Sequence, residues 1–404
     1  MKTLTYKRIL LGVTGGIAAY KSADLVRRLR ERGAEVRVVM TRGARQFVTP
    51  LTFQALSGRP VGTELLDHDA EAAMGHIELA RWSDLVLVAP ASANFLAKLS
   101  HGLADDLLST LCLAADAPIL VAPAMNRQMW LNPGTVENMA TLTRRGVAVL
   151  GPGSGDQACG ETGPGRMLEP AELVRGVEAQ FHTGLLNGKK VLVTAGPTRE
   201  AIDPVRFISN RSSGRMGFAI ARAAQEAGAV VTLVSGPVAL EPPERINFVA
   251  VHTAEQMLSE VMADVADADI FISAAAVADY RCSHIADNKI KKQETGLTLK
   301  LERNPDILAR VTGLAPHPFT VGFAAETEAL TDNARIKLEM KNLDMIAANR
   351  VGEGVGFDVE ENALEIHWGG GSLSLEKMSK EKLARRLLRV VAEQYYAKHS
   401  TRTH

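Results

Sequence analysis

The sequence predicts an α/β protein made of two domains. Its 404 residues exceed one ordinary core and suit two domains of roughly 200 residues each. Short apolar runs alternate with amphipathic stretches in both halves, which is typical of parallel strands joined by helices. The run VLVTAGPT from Val191 repeats the pattern of LLGVTGG from Leu10. We therefore expect two Rossmann-like three-layer domains, residues 1–188 and 189–404.

Four apolar runs of strand length predict buried parallel strands in the first half. Amphipathic periodicity between and after them predicts three helices. Because parallel sheets bind ligands at the carboxyl ends of their strands, the loops after the strands are expected to form a site. The predicted strands are Ile9–Thr14, Val36–Thr41, Leu85–Pro90 and Ile119–Pro123, and the helices are Ser22–Arg32, Asp105–Ala115 and Pro133–Arg145.

The second half repeats this scheme after a weaker stretch, Pro170–Gly188, which contains one helix-like segment. We place the domain boundary near residues 185–190, where LLNGKK precedes a new strand. The predicted strands are Lys190–Thr194, Val230–Ser235, Ile270–Ala274 and Thr320–Phe323, and the helices are Ala219–Ala227 and Ser379–Tyr396.

Composition excludes several classes of partner. Lys+Arg and Asp+Glu balance at 46 each, so no basic excess favours nucleic acid. No apolar run of about 18 residues indicates a membrane span. The early run Ile9–Val13 is shorter than the apolar core of a signal peptide. The three cysteines have no metal-ligand or disulfide-framework spacing, so we expect a cytoplasmic protein. The dense cationic cluster Lys289–Lys292 is too short to follow a nucleic-acid backbone and suits a few phosphates, which favours small anionic ligands.

A glycine-containing turn follows the first predicted strand. In Gly12–Lys21, the backbone amides of Thr14, Gly15, Gly16 and Ile17 can approach a phosphate at a helix N-terminus. Any tight strand-to-helix turn also needs glycine, so a purely structural role stays open. The polar loop Ser92, Ala93 and Asn94 likewise reads either as a binding loop or as a helix cap.

Two further segments bring an amide and a thiol into the first half. They are PAMNRQMW from Pro123, which holds Asn126 and Met129, and QACGETGPGRM from Gln157, which holds Cys159. Asn126 can bind a carboxylate by hydrogen bonding, although it could equally cap a helix. Met129 could be core filler, and Cys159 could be a small residue tolerated among glycines. A thiol with an ordinary pKa of ~8.5 is mostly protonated near pH 7 and can donate a proton.

These two segments, together with GHIELA around His76, resemble the flavin-dependent cysteine decarboxylases, specifically the phosphopantothenoylcysteine decarboxylases. The resemblance implies a flavodoxin-like domain in which the substrate's thiol carbon is oxidised to a thioaldehyde at the expense of FMN, so that carbon dioxide can leave. It implies that Asn126 and Met129 bind the substrate, that His76 orients it or assists proton transfer, and that Cys159 protonates the enethiol. The implied FMN-binding residues are Thr14, Gly15, Gly16, Ile17, Thr41, Ser92 and Asn94.

A long polar loop, Gly196–Gly217, follows the first strand of the second half. Loops of this length are usually functional or disordered, and its Ser and Arg residues with a helix opening at Gly214 favour anion binding. The loop contains SNRSSGRMG and closely resembles the signature of the phosphopantothenate:cysteine ligases. Four later segments match the same family: Ser273–Tyr280, Asp287–Lys292, Asn304–Ile307 and Gly322–Thr327. The combined resemblance covers about Ile9–Ala348.

The ligase resemblance implies that CTP activates 4′-phosphopantothenate as an acyl-cytidylate, which cysteine then attacks. It implies that Lys289 neutralises phosphate charge, that Asp279 holds Mg²⁺, and that Asn210 and Arg206 contact substrate. The residues alone would equally allow ATP as the activating nucleotide, so the choice of CTP comes from the resemblance. Lys337 and Lys341 lie four apart on one helix and repel mildly unless an anion lies between them, although a solvated face is an alternative. The implied nucleotide-binding residues are Ser273, Ala274, Ala275, Asp279, Lys289, Asn304, Pro305, Asp306, Ile307, Phe323, Lys337 and Lys341.

Together the halves predict a bifunctional enzyme that makes 4′-phosphopantetheine from 4′-phosphopantothenate and cysteine. The resemblance also implies trimers through the first half and dimers through the second, hence a dodecamer. Two alternatives stay open: a flavoprotein of the same fold acting on another cysteine-containing carboxylate, and a non-catalytic regulatory homologue. The presence of His76, Asn126 and Cys159 argues against the second alternative.

Overall fold

The chain divides into two compact α/β units, Met1–Phe181 and His182–His404. Their architecture comes from a computed structural model that describes residues 3–65, 75–291, 297–326, 330–350 and 360–400. The division precedes the boundary drawn from sequence because residues after Phe181 pack with the second unit. Leu186 is fully buried in the second unit's core, and its amide donates to Ala227 O at 2.8 Å.

The first unit is built on a five-stranded parallel sheet with the order β2-β1-β3-β4-β5. Side chains of β1 alternate between two separate core clusters, with Ile9, Leu11 and Val13 on one face and Leu10 on the other. Both faces are therefore covered by helices, which confirms the three-layer prediction. The strands are β1 Arg8–Val13, β2 Glu35–Met40, β3 Leu85–Ala91, β4 Ile119–Pro123 and β5 Ala148–Val149.

The helices of this unit include the three that were predicted, each within two residues at either end. Sequence analysis missed four others. One of these begins inside the supposed polar loop: Ser92 is an N-cap whose side chain accepts from Phe95 N, and Asn94 lies in the first helical turn. The helices are α1 Lys21–Glu31, α2 Pro50–Ser57, α3 His76–Trp82, α4 Ala93–His101, α5 Leu107–Ala114, α6 Arg127–Leu131, α7 Pro133–Arg144 and α8 Pro170–Phe181, with short 3₁₀ turns at Ile17–Tyr20 and Ala44–Gln46.

The glycine-rich segment around Cys159 forms an antiparallel hairpin. Its strands are β6 Gly153–Asp156 and β7 Thr162–Arg166, with Cys159 in the connecting turn. The amide of Met125 donates to Gly165 O at 2.9 Å, so the hairpin is joined to the loop that follows β4. The hairpin thus brings both sequence motifs of the first unit together.

The second unit has an eight-stranded mixed sheet with the order β12-β11-β8-β13-β16-β17-β18-β19. Its first six strands are parallel, while β18 and β19 are antiparallel. Val191 and Val193 belong to one core cluster and Leu192 to another, so this sheet is also covered on both faces. The strands are β8 Lys190–Ala195, β11 Val230–Ser235, β12 Asn247–Ala250, β13 Ile270–Ser273, β16 Phe319–Glu326, β17 Met345–Arg350, β18 Glu361–Trp368 and β19 Gly371–Ser379.

Two small hairpins and five helices complete the described part of this unit. The prediction of one uninterrupted loop over Gly196–Gly217 was wrong, because the loop contains the hairpin β9 Arg199–Ala201 and β10 Phe207–Ser209. The second hairpin pairs β14 Tyr280–Cys282 with β15 Leu301–Arg303. The helices are α9 Arg215–Glu226, α10 Ala254–Asp264, α11 Ile307–Thr312, α12 Leu330–Met340 and α13 Lys380–Ser400. Within the described ranges, no helix combines the length and the apolar character that a membrane crossing needs.

Gly217 marks the closest approach of α9 to β8 and gives a test of this packing. An added Cβ would lie 2.5 Å from Ala195 Cβ and 3.2 Å from Thr194 O. Alanine favours a helix interior over glycine by about 1 kcal/mol, but overpacking costs about 1–3 kcal/mol. We expect Gly217→Ala to lower the thermal unfolding midpoint of the protein. Gly369→Ala is the matched control, since its Cβ would meet nothing within 4 Å, and a higher midpoint for Gly217→Ala would contradict the packing.

Candidate functional site

A cavity of about 520 Å³ lies at the carboxyl ends of β1, β3 and β4 in the first unit. This is the sheet edge that the loop positions predicted. Residues from the first glycine turn, the start of α4, the loop after β4 and the β6–β7 hairpin surround it. The lining residues are Gly15, Gly16, Ile17, Ala18, Tyr20, Lys21, Ser92, Ala93, Ala124, Met125, Asn126, Met129, Asp156, Gln157, Ala158, Cys159, Gly165, Arg166 and Met167.

Thr14 holds two of these loops together without lining the cavity. Its buried hydroxyl donates to Pro90 O at 2.8 Å and accepts from Ser92 N at 2.9 Å. Gly15 is restricted for a different reason, since an added Cβ would lie 2.9 Å from the carbonyl carbon of Gly43. These contacts hold the glycine turn after β1 beside the N-terminus of α4.

Asn126 and Cys159 meet in this cavity. The Asn126 side-chain amide lies 3.3 Å from Cys159 Sγ and donates to Glu161 Oε2 at 2.7 Å. Its carbonyl oxygen accepts from Gln128 N at 2.7 Å, so Asn126 is also the N-cap of α6. Gln157 supports the arrangement because its Oε1 accepts from the amide of Arg127 at 2.9 Å. The cap therefore orients Asn126 while its amide group still faces the thiol.

Besides Thr14, three residues predicted to belong to this site do not line the cavity. His76 is the first residue of α3, Thr41 follows β2 and binds Ala44 N through its hydroxyl, and Asn94 is exposed on α4. Conversely, the motifs gave no role to Lys21 or Glu161. Lys21 has a side chain only 11% exposed and forms an ion pair with Glu169 at 2.5 Å. The position of Lys21 directly after the glycine turn could have predicted from sequence that it lies at the site.

The second unit has its own cavity, of about 550 Å³, at the carboxyl ends of its parallel strands. The segment before α9, the loop after β13 and the ends of β16 and β17 form most of it. Of the predicted residues, the cavity includes Asn210, Ala274, Ala275, Asp279 and Phe323. The full lining is Asn210, Arg211, Ser212, Ser213, Gly214, Arg215, Met216, Gly217, Ala274, Ala275, Ala276, Val277, Asp279, Phe323, Ala325, Asn349, Asn362 and Lys380.

Hydrogen bonds within the unit orient two amide side chains at this edge. Asn210 Nδ2 donates to Val277 O at 2.9 Å, which joins the loop before α9 to the loop after β13. Asn304 Nδ2 donates to Ala278 O at 2.8 Å, while its buried Oδ1 has no partner within the described residues. An unpartnered buried acceptor favours a ligand that carries a hydrogen-bond donor.

Each lysine of the predicted pair on α12 has its own carboxylate. Lys337 pairs with Glu326 at 2.5 Å and Lys341 with Asp306 at 2.9 Å. These carboxylates offset the mild repulsion expected between the two lysines, while the predicted contact of the lysines with a nucleotide stays a prediction. Burial opposes ionisation of Asp306, yet hydrogen bonds from Ala309 N and Lys341 bring the pKa of its carboxyl below the usual value. Asp306 also caps α11, and Ile307 begins that helix.

Arg206 and Lys289 lie outside the lining of the second cavity. The Arg206 guanidinium donates to Asp203 Oδ2 through Nε at 3.0 Å and through Nη2 at 2.5 Å. This hydrogen bonding holds the pKa of the buried Asp203 carboxyl far below its usual range. Lys289 is exposed, and Lys292 and Thr327 of the predicted segments fall outside the described residues. Ser273 ends β13, next to the cavity wall.

Sequence reasoning missed several polar residues of this cavity. Asn349 lies on β17, Asn362 on β18, and Lys380 opens α13. Asn362 and Lys380 are both more than 90% buried. They escaped notice because the strands that carry them to the site, β17 to β19, were not predicted. No cluster of three or more His, Cys, Asp or Glu side chains suited to a metal occurs in the described ranges.

Comparisons with known proteins cover both units. Residues 1–182 match the family model described as Flavoprotein, and residues 186–395 match the DNA/pantothenate metabolism flavoprotein C-terminal domain. These matches reach beyond both ends of the Ile9–Ala348 resemblance.

Curated relatives extend over nearly the whole chain. A coenzyme A biosynthesis bifunctional protein CoaBC from Vibrio vulnificus is 55% identical over 395 residues, covering 97% of this chain and 98% of that protein. The protein of the same name from Escherichia coli K12 is 52% identical over 399 residues, with shares of 97% and 98%. That from Bacillus subtilis is 44% identical over 395 residues, with shares of 96% and 97%.

The three cysteines give a test of the first cavity. Cys159 is exposed in the hairpin turn, whereas Cys112 and Cys282 are buried. Burial raises the pKa of the Cys112 thiol to about 12, which removes its thiolate at neutral pH. We expect brief treatment of native protein with iodoacetamide to label Cys159 alone, as read by peptide mass. Cys159→Ser should abolish the labelling, and equal labelling of Cys112 in folded protein would contradict the structure.

Proposed function

The chain belongs to the family of bifunctional coenzyme A biosynthesis proteins, and from this membership we propose how its two units divide the work. It is a phosphopantothenoylcysteine decarboxylase and a phosphopantothenate:cysteine ligase in one polypeptide. The second unit joins 4′-phosphopantothenate to cysteine, and the first unit decarboxylates the product to 4′-phosphopantetheine. The contact between Asn126 and Cys159 at the carboxyl edge of a flavoprotein sheet carries this proposal.

The first cavity fits FMN as the flavin of this family. Gly16 has open space where a Cβ would be, and Gly15 cannot carry one, so backbone amides lie bare at the end of β1. Such amides at a strand-to-helix turn suit a phosphate. The implied FMN-binding residues among the lining are Gly15, Gly16, Ile17 and Ser92, while Thr14 would position the turn. When bound, FMN supplies a reversible two-electron acceptor for the carbon that bears the substrate thiol.

Different residues around the flavin position bind the substrate and transfer the proton. Asn126 donates to the departing carboxylate, and Met129 packs against the apolar part of the substrate. The Cys159 thiol returns a proton once carbon dioxide has left, because it reaches the same volume as Asn126, 3.3 Å away. In this structure Asn126 Nδ2 donates to Glu161. A substrate carboxylate therefore competes with Glu161 for this donor. The role of His76 in orienting substrate or assisting proton transfer rests on the motif resemblance.

The second cavity carries out nucleotide-dependent amide formation. CTP activates the carboxylate as an acyl-cytidylate with release of pyrophosphate, and the cysteine amine then displaces CMP. Asn210 contacts the substrate from the cavity lining, and Asp279, also in the lining, would hold Mg²⁺ or its water shell. Substrate contact by Arg206 and neutralisation of phosphate charge by Lys289, which lie outside the lining, rest on the motif resemblance. Support for an anionic substrate comes from Arg215 and from the buried Lys380, which line the cavity.

Nucleotide recognition falls on residues at the end of β13, after β15, in β16 and on α12. The buried, unpartnered Asn304 Oδ1 suits the exocyclic amine of a base. Lys337 and Lys341 contact phosphates if these displace Glu326 and Asp306. The remaining nucleotide contacts are assigned to Ser273, Ala274, Ala275, Pro305, Ile307 and Phe323.

We place the enzyme in the cytoplasm, which its three free cysteines support. By resemblance, it forms a homo-oligomer built from trimers and dimers.

One assay tests both activities together. Purified protein is incubated with phosphopantothenate, cysteine and, separately, each nucleoside triphosphate, and the products are followed by mass. We expect CMP, pyrophosphate and 4′-phosphopantetheine with CTP. Lys289→Gln should lower pyrophosphate release by about 100-fold, since removing one charge-stabilising group from a developing anion typically costs this much.

Decarboxylation of supplied phosphopantothenoylcysteine is the internal control for that variant. It should be unchanged in Lys289→Gln, because the first unit is intact. Loss of both activities would indicate misfolding rather than a role for Lys289. Ligation supported equally by ATP would reject the assignment of CTP.

A second experiment isolates the proton donor of the first unit. Cys159→Ser should keep its bound flavin and release carbon dioxide, because neither step requires the thiol proton. It should then accumulate an oxidised or enethiol product, detected by mass, as serine is a much weaker acid than cysteine. Full turnover to 4′-phosphopantetheine by this variant would remove the proton-donor role of Cys159.

A further inference from the structure

A buried carboxylate in the turn between β9 and β10 collects five hydrogen bonds. Asp203 Oδ1 accepts from the amides of Val205 and Arg206 at 2.9 and 2.8 Å. Its Oδ2 accepts from Arg206 Nε and Nη2 and from the amide of Ile290 at 3.0, 2.5 and 3.1 Å. A buried charge is tolerated only when it is paired and hydrogen-bonded in this way. One of the five bonds reaches 87 residues along the chain, to the segment that carries Lys289.

That segment is attached to the β9–β10 turn at both of its ends. At one end, the amide of Ala286 donates to Ile202 O at 3.0 Å. At the other, Asp203 accepts from Ile290 N, and Arg206 Nη2 donates to Ile290 O at 2.9 Å. The ion pair therefore binds both polar backbone groups of Ile290. Residues Asp287 to Lys289 are held between these two anchors.

The consequence for Lys289 follows from peptide geometry. The N–H of Ile290 lies in the peptide plane that it shares with Lys289, and the Ile290 carbonyl lies in the next plane. Because peptide bonds are planar, fixing both groups leaves little rotation for the backbone on the carboxyl side of Lys289. The Lys289 side chain is exposed, and within the described ranges no carboxylate lies within ion-pair distance of its amine. Among the described residues, only the backbone therefore sets the direction of the Lys289 side chain.

We propose that Asp203 and Arg206 are positioning residues for the ligase reaction, which aim Lys289 by clamping both backbone groups of Ile290. The inference rests on the proposed function, since it gives the clamp a purpose through Lys289. It adds Asp203, which the motifs left without a role, and gives Arg206 a task besides substrate contact. A preset cation stabilises developing phosphate charge without reorganisation during the reaction.

The Asp203–Arg206 clamp stays charged at neutral and mildly acidic pH. The Arg206 guanidinium, with three backbone amides, holds the pKa of Asp203 well below its usual value. A carboxyl with a depressed pKa contributes stability above its unfolded pKa, and that contribution is lost only as pH falls through the folded value. Facing Asp203 from the packed segments are Arg206 and the Ile290 backbone, so neutral or mildly acidic solution leaves the clamp charged.

The test uses the full-length protein with Asp203→Asn. Hydrogen exchange read by mass should become faster in peptides that span residues 286–291, because asparagine offers one uncharged acceptor oxygen to donors that now share two carboxylate oxygens. The kcat of pyrophosphate release should fall by about tenfold, because Lys289 is no longer held in one direction during the reaction. The KM for cysteine and decarboxylation of supplied phosphopantothenoylcysteine should not change.

Two further variants keep the outcome decisive. Asp267→Asn is the matched control, since its carboxylate pairs with Lys190 at 3.5 Å and is 83% exposed, so neither readout should change. If Asp203→Asn speeds exchange throughout the second unit, Arg206→Lys decides by exchange alone, because lysine keeps the charge but loses the two-pronged geometry. Faster exchange confined to residues 286–291 in this variant supports the clamp, and unchanged exchange there contradicts it; its kcat does not enter the decision, since Arg206 also contacts substrate. Unchanged exchange at 286–291, or faster exchange there with unchanged kcat, would overturn the proposal. A wild-type protein without pyrophosphate release would instead refute the proposed function, while the exchange measurement would still judge the clamp.

Discussion

Parallel strands that are covered on both faces leave only their ends for polar chemistry, and the candidate sites of both units obey this constraint. The interior of β1 carries Leu10 and Leu11 into two cores, and the first polar, ligand-facing backbone comes after Val13. In the second unit, β16 is buried up to Gly322 and then contributes Phe323 to the cavity. Each sheet therefore works as a rigid frame that collects the loops of several strands at one edge.

The constraint also explains which parts of the fold could be predicted from sequence. Central parallel strands are continuous apolar runs bounded by turn residues, so β1, β8 and β11 were located to within one residue. The β6–β7 hairpin has the sequences GSGD and TGPGR, which carry no hydrophobic alternation at all. Its antiparallel pairing and its backbone bond to the loop after β4 therefore became visible only in the structure. By contrast, β18 does alternate, with Leu364 and Ile366 buried, and this signal was available but unused.

The same distinction applies to the site residues: those in local motifs were predicted, and those placed by distant parts of the chain were not. Asn126 and Cys159 were found because each lies in a distinctive local motif, and the fold brings them together across 33 positions. Lys380 could not be found in this way, since it reaches the cavity only through three strands of mixed direction. The partners of Lys337 and Lys341 were equally invisible. The carboxylates that pair with these lysines lie on other elements. Spacing along α12 therefore suggested repulsion between the lysines, whereas in the structure each lysine forms an ion pair of zero net charge.

Those neutral pairs have a consequence for how the ligase unit responds to ionic strength. A nucleotide that binds Lys337 and Lys341 exchanges with Glu326 and Asp306, so the number of ion pairs at these lysines stays the same. Added electrolyte screens the old and the new pairs alike. Affinity there should therefore depend less on salt than it would for bare lysines, and selectivity among anions must come from geometry rather than from net charge. The displaced carboxylates, in turn, become available to counter-cations that arrive with the polyphosphate.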